Sequence, residues 1–378
     1  STSFDGSNDY IEVPDSANLS FGDGTNDTPM TISIWCKMTT PGDGQILITK
    51  GIPTSTEAEW EFYIGGDSKL VFYITDDSAS EQGGAYWNSA ITDTGWVYYT
   101  ATYDGRGGSS CADGIKLYMD GVDLGGLSAL SASSYVAMES LSANVHIGKQ
   151  GASAFGGGGK MANCAIWNRA LSLEEIQSIM RKNYSQLKGT ETTSLVSWWA
   201  LDDTKEEDVS FTWANKEGGG SANVFTNVDG VVTYDGDHAS DNAHIYYTGA
   251  VGTYKFTTNI KGDHANGLYF RGTYTADTLE GGTGVQLQSN DASIFTSTGS
   301  EYSFDGVISY TWLEADSGTL YQGFKGNAAS PTYFSGTTLK KVLMEDLEGS
   351  NDGIISGATT TTSVYGGNAP VLDRAVDV

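Results

Sequence analysis

The chain has 378 residues, of which 20 are Lys or Arg and 47 are Asp or Glu, for a formal net charge of −27. A surface of that charge repels phosphate backbones and excludes nucleic acid as a partner. With 49 Gly, 6 Pro and 11% aromatic residues, the composition fits many short strands joined by tight turns and excludes disorder.

The length predicts two domains, each with its own core. No apolar run reaches membrane-spanning length, so membrane insertion is not expected. The chain begins with Ser1, which suggests a processed protein or a piece of a longer one.

In chain order, Ile32, Ile34, Cys36 and Met38 alternate on one face of a first long strand. Residues 59–64 and 70–74 flank Gly65, Gly66, Asp67 and Ser68 and read as a hairpin. Further strands are expected at 95–103 and 115–119, and a flexible run at 156–159. A strand at 164–168 then leads into the one helix expected, Leu173 to Leu187. Ser172 and Glu175 form a capping box, and Leu171 with Ile176 a hydrophobic staple. Leu173, Ile176, Ile179 and Met180 make one apolar helical face, and a strand at 195–201 follows. Together they form a brace against a sheet sandwich.

Six blocks of this first part stand in a familiar order: SFDGSNDYIEV at 3–13, TISIW at 31–35, WVYYTATYDG at 96–105, LYMDG at 117–121, VHIG at 145–148 and IWNRALSLEEI at 166–176. Residues 1–203 thereby resemble laminin-G-like, concanavalin A-type jelly rolls. The resemblance implies an antiparallel two-sheet fold. It also implies Ca²⁺, bound by Asp5 in the opening motif and by Asp202 or Asp203 after the closing strand, with Asp23, Asp27, Asp104 and Asp120 as alternatives.

After Asp203 comes a charged linker, 204–208, and then a second β-rich domain ending near 345. Its strands at 252–260, 267–271, 285–288, 307–313 and 338–343 resemble, in order, carbohydrate-binding modules of the four/nine type. LEGSNDGIISGAT at 347–359 looks like the sequel of a laminin-G-like closing strand, here WALDD at 199–203. The second domain then reads as an insertion. The remainder, grouped as 346–378, is expected to be an extended connector. The whole is an all-β chain of two antiparallel sandwiches with one short helix, and it resembles modular phage fibre and appendage proteins.

Three cysteines cannot all pair, and no C-x-x-C spacing occurs. Folding in a reducing compartment, as a particle assembled in the cytoplasm would provide, is expected. Glu57, Glu59 and Glu61 alternate along one strand, but the E-x-D-x-x-E pattern of laminarinase-type hydrolases is absent; a solvated face is expected there. The four histidines, His146, His238, His244 and His264, are dispersed. Aromatic residues in polar, Gly-rich settings suit sugars, whose C–H faces stack on rings while amides and carboxylates take the hydroxyls. Tyr86, Trp87 and Asn88 offer this in one loop, and Tyr246, Tyr247, Tyr274 and Trp312 in the second domain.

The expected function is non-catalytic glycan binding on a virion fibre, decoration or extracellular appendage, with glycans and further copies of the chain as partners. The alternative is a glycan-degrading hydrolase with an attached binding module.

Overall fold

The computed structural model of the chain describes residues 1–51, 57–130, 133–151, 153–202, 204–216, 224–229, 231–235, 242–249, 252–264, 269–274, 285–286, 295–298, 301–314, 318–325, 332–356 and 359–360. It divides into two units, Ser1–Lys205 with Leu343–Val378, and Glu206–Val342.

The first unit opens with β1 (Thr2–Phe4), β2 (Tyr10–Val13), β3 (Met30–Met38), β4 (Gln45–Lys50), β5 (Trp60–Ile64), β6 (Leu70–Asp76), β7 (Glu81–Tyr86) and β8 (Trp96–Tyr103). It continues with β9 (Ile115–Met119), β10 (Val122–Asp123), β11 (Ser128–Leu130), β12 (Val145–Ile147), the hairpin β13 (Lys149–Gln150) and β14 (Ser153–Ala154), β15 (Gly159–Trp167), α1 (Leu173–Ile179) and β16 (Leu195–Trp199). Two antiparallel sheets result. One runs β10–β9–β8–β3–β15–β1 and ends on Thr359–Thr360, with β16 also on β15. The other runs β11–β7–β6–β5–β4–β12–β2 and continues into Gly353–Ser356, which pairs in turn with Leu343 and Met344. This is the jelly roll expected.

Alternation decides which faces meet. Ile32, Ile34, Cys36 and Met38 of β3, and Trp60, Phe62, Ile64, Leu70, Phe72 and Ile74 of β5 and β6, are all buried. They form the inner faces. The outer face of the β3 sheet is closed by α1. There Trp35, Tyr98, Tyr118, Trp167 and Trp198 form one cluster with Leu171, Ile176, Ile179 and Leu187. The indole N–H groups of Trp35 and Trp167 donate to Met180 O at 3.1 Å and Glu191 O at 2.8 Å, so their polar ends are satisfied inside it.

The helix start follows its sequence signal. Glu175 N–H donates to Ser172 Oγ, and Ser172 N–H to Glu175 Oε2 at 3.0 Å. Its end does not. α1 stops at Ile179, and Tyr184–Gln186 is a separate 3₁₀ turn. Asn183 is extended and caps that turn, its N–H donating to Gln186 Oε1. Asparagine favours such a cap over a helix interior, so the expected run to Leu187 is broken there.

Residues 346–378 are not a connector throughout. The Asp346 carboxylate accepts the N–H groups of Trp198, Glu348 and Asn351. Trp199 Nε1 donates to Asn351 O at 2.8 Å. Gly353–Ser356 then pairs with β2, with Ile355 buried. The expected linker likewise forms a strand, Lys205–Asp208. Cys36, Cys111 and Cys164 are free thiols, all buried.

In the second unit, Thr212–Lys216, Asn242–Gly249, Gly318–Lys325, Tyr269–Tyr274 and Val285–Gln286 make one antiparallel sheet in that order. Gly252–His264 pairs with Glu301–Glu314 and with residues 333–342, at the centre of the other. Trp213 from the first sheet sits 5.1 Å from the Phe334 ring and 6.3 Å from that of Phe256 in the second. Ile245, Tyr247, Tyr254, Phe256 and Phe334 are buried, so the two sheets pack face to face.

Candidate functional site

With α1 covering one outer face of the first unit, the other outer face is the one that carries polar and aromatic side chains. The ladder sets Glu12, His146, Thr49, Glu61, Tyr73 and Gly84 in one row across β2, β12, β4, β5, β6 and β7. Tyr63, Val71, Tyr86 and Ser128 make the neighbouring row. The Tyr63 and Tyr73 rings meet edge to face at 5.7 Å. A Cβ at Gly84 would fall 2.2 Å from Tyr73 Cδ1: the ring lies where any side chain at 84 would go, and only glycine fits.

Along the same face His146 Nε2 is 3.0 Å from Glu12 Oε2. That hydrogen bond is the main cause holding the Glu12 carboxyl below its usual range. The His146 ring stands 5.8 Å from that of Tyr10, and Lys149 Nζ lies 3.7 Å above Tyr10. Lys69 Nζ is 5.2 Å from the Tyr86 ring centre.

Glu61 lies in the middle of this face. It is 1% exposed, and its Oε2 accepts from Nε2 of Gln150, carried by the β13–β14 hairpin. Its Oε1 has no protein partner, nor do Gln82 Nε2 and Thr75 Oγ1 on the same face. Burial pushes the Glu61 carboxyl up to about 8, so at neutral pH it keeps its proton and can donate as well as accept.

Glu59, two residues earlier, is also fully buried. Its Oε1 accepts from Ser20 Oγ at 3.1 Å and Leu141 N–H at 2.8 Å, and lies 3.3 Å from Lys50 Nζ. Burial outweighs the attraction of Lys50 and raises this carboxyl to about 7. The solvated Glu face expected from the sequence is therefore corrected. Only Glu57 is exposed; Leu141 and Gln150, from distant segments, cover the other two.

Of the residues singled out in the sequence, Tyr86 joins this face. It ends a strand and does not lie in a loop as expected. Trp87 is half-buried with its N–H on Leu70 O, and Asn88 is held by Ser128, its Nδ2 donating to Ser128 Oγ at 2.9 Å. In the second unit Tyr246 and Tyr274 both pair with Tyr321, one from each side, so they share a ladder level two strands apart. Trp312 stands in the other sheet, opposite Tyr254. Tyr247 is buried, its ring 5.3 Å from Tyr254, and is a packing residue. Sequence reasoning missed Tyr63, Tyr73, Gln82 and Gln150. The alternation of Glu61 and Tyr63 against Tyr73 across the hairpin was the available signal for the first two.

Among the described residues no group of three or more His, Cys, Asp or Glu could hold a metal. Asp5 Oδ1 accepts Ser7 N–H at 2.8 Å. Asp202 lies at the opposite end of β1, because Thr2 Oγ1 donates to Leu201 O at 3.0 Å. The strand between sets them roughly 10 Å apart. They are not brought together, and Asp203 lies outside the described residues. Asp23, Asp27, Asp104 and Asp120 each accept protein N–H or O–H donors.

Residues 5–177 match the family model Laminin_G_3, described as the concanavalin A-like lectin/glucanases superfamily. No curated protein matches the chain. Among solved structures, a candidate carbohydrate-binding protein from Bacteroides ovatus is 15% identical with a TM-score of 0.34, over 62% of this chain and 55% of that one. This chain thus spans about half of that protein's length. The CBM40 of the Ruminococcus gnavus IT-sialidase, bound to α2,3-sialyllactose, is 15% identical with a TM-score of 0.33, over 47% of this chain and 96% of that one. A heptameric SAP-like pentraxin from Limulus polyphemus is 14% identical with a TM-score of 0.28, over 47% and 83%. At that similarity none of them bears on the ligand of this chain. The family match, the ordered sequence blocks and the two-sheet antiparallel fold agree that residues 5–177 are similar to concanavalin A-like lectin/glucanase domains, over somewhat less than half of the chain.

Proposed function

We propose that this chain binds glycans without chemistry on the outer face built by β2, β12, β4, β5, β6 and β7. One observation carries the reading: Glu61 is buried, yet keeps an oxygen without a protein partner, beside the Tyr63 and Tyr73 rings. A buried polar atom left unpaired costs about 1–3 kcal/mol, which a sugar hydroxyl returns if it displaces the Gln150 side chain and reaches the carboxyl. The flanking rings suit a sugar's C–H face. The family description, lectins together with glucanases, fits the same class of ligand.

Hydrolysis is the second reading, favoured by two adjacent carboxyls raised to about 7 and about 8. A glycosidase needs two carboxyls free to act on opposite sides of the bond. Glu59 is held by Ser20, Leu141 and Lys50, and Glu12 by His146. Only Glu61 offers a free oxygen, which favours binding.

Tyr73→Ala and Tyr63→Ala are each expected to weaken the glycan retained on an array by about tenfold or more. Retention unchanged in both removes the face from consideration. Release of reducing ends from a bound polysaccharide, lost in Glu61→Gln, would establish the hydrolase instead.

Display on a virion-borne or extracellular appendage, in several copies, belongs to the same proposal. Repetition raises the apparent affinity of a weak site by about 10²–10⁴-fold. Calcium is proposed at the Asp202 end of β1, with Asp5 no longer in the set. Chelation by EDTA is then expected to lower the melting temperature by several degrees. An unchanged value rejects it.

A further inference from the structure

The helix side of the first unit holds an open depression of about 650 Å³, across the sandwich from Glu61. Its wall includes Arg181, Lys182 and Lys188 and no carboxylate, the other lining side chains being Gln or Ser. The chain has 47 acidic and 20 basic residues, so three cations without an acid run against its composition.

Their partners separate them. Lys182 Nζ pairs with Glu191 Oε1, which Ser178 Oγ also reaches at 2.6 Å, and Glu191 Oε2 takes Lys188 N–H at 2.8 Å. That carboxylate is saturated by its own neighbours. Arg181 and Lys188 are exposed and enter none of the salt bridges among the described residues. The amides are polarised to match. Gln186 Oε1 accepts Asn183 N–H at 3.0 Å, which leaves its NH₂ group as a donor. Gln177 Nε2 donates to Gly121 O at 2.9 Å and fixes the other wall.

We propose that this depression binds the anionic substituent of an acidic polysaccharide, a uronic carboxylate or a sulfate ester, held by Arg181 and Lys188 with Gln186 donating. The guanidinium fork matches either anion in a bidentate way, and the ammonium adds a point charge. The depression is open to solvent, so a polymer can lie across it. With the rest of the surface at a net negative charge, attraction is local and is screened by salt within roughly a Debye length. The depression is independent of the Tyr63–Tyr73 face.

The test uses the full chain with polygalacturonate, dextran sulfate and unmodified dextran, by calorimetry at low and physiological salt. One or both acidic polymers are expected to bind, unmodified dextran not, and binding is expected to weaken with salt. Which polymer binds separates carboxylate from sulfate. The Arg181→Gln, Lys188→Gln double variant is expected to lose about tenfold or more in affinity, with Tyr73→Ala unaffected. Both positions are exposed, so the melting temperature reports folding, and Lys188→Gln alone is expected to move affinity in the same direction by less. Failure of both acidic polymers to bind, or equal affinity in the double variant, overturns the proposal. Loss in Tyr73→Ala alone would assign the polymer to the other face and equally overturn it.

Discussion

Lys50→Met is expected to destabilise the protein by about 3–5 kcal/mol at pH 8 and by clearly less at pH 5.5. The ammonium is fully buried, 2.5 Å from Asp15 Oδ1, 2.7 Å from Ala143 O and 3.3 Å from Glu59 Oε1. Removing it leaves a buried carboxylate and a buried carbonyl without their cation, the situation in which breaking an ion pair costs most. Glu59, already raised to about 7 by burial, loses the charge that opposed that shift. In the variant its pKa lies higher still, so in acid it takes up a proton and escapes the penalty, hence the smaller effect at pH 5.5. Urea denaturation at the two pH values measures this. A loss under about 1 kcal/mol at pH 8, or the same loss at both, would mean the ammonium does not neutralise Glu59.

Glu61→Gln carries the second large effect, with the opposite sign. The folded carboxyl holds its proton up to about pH 8, whereas an unfolded one releases it near its ordinary value of 4.5. Between those values unfolding releases a proton, so wild-type stability falls as pH rises through the window and levels off above it. The integrated cost is on the order of 5 kcal/mol. Glutamine has the same shape and no proton to lose. The variant is expected to match the wild type near pH 4.5 and to exceed it by a few kcal/mol at pH 8.5. Thermal melts across that range give the comparison. A variant weaker than the wild type at both ends would show that Glu61 is not held as a neutral acid.

The features that were legible in the sequence are those whose causes are local. Ser172 and Glu175 cap one another across three residues, and the Gly65–Ser68 turn joins strands that pair Ile64 with Leu70. Alternation set Glu59 and Glu61 on one face of their strand. It says which way a side chain points and nothing of what lies above it. Glu59 is covered by Leu141 and Glu61 by Gln150, more than 80 residues away in sequence, so a solvated face was the natural and incorrect reading. Gly83 and Gly84 suggested a loop for the same reason. The residues that require glycine there, Cys111 and Tyr73, are neighbours only in the folded sheet. The helix end failed because Asn183 serves a competing cap that periodicity does not register.

The interruption of the first sandwich by residues 206–342 has a consequence for how the protein is made. β1 and β2 are made before the inserted unit, yet each has a strand partner, at Thr359–Thr360 and Gly353–Ser356, that is made after it. At a synthesis rate of about 5–20 residues per second, roughly 10–30 s separate completion of β16 from the arrival of those partners. Through that interval the nascent sandwich presents unpaired edges, the feature that recruits foreign strands. The interrupted sandwich is therefore sealed only after the inserted unit has been made, and crowding of growing chains on one messenger is the condition under which this order of events is most exposed to misassembly.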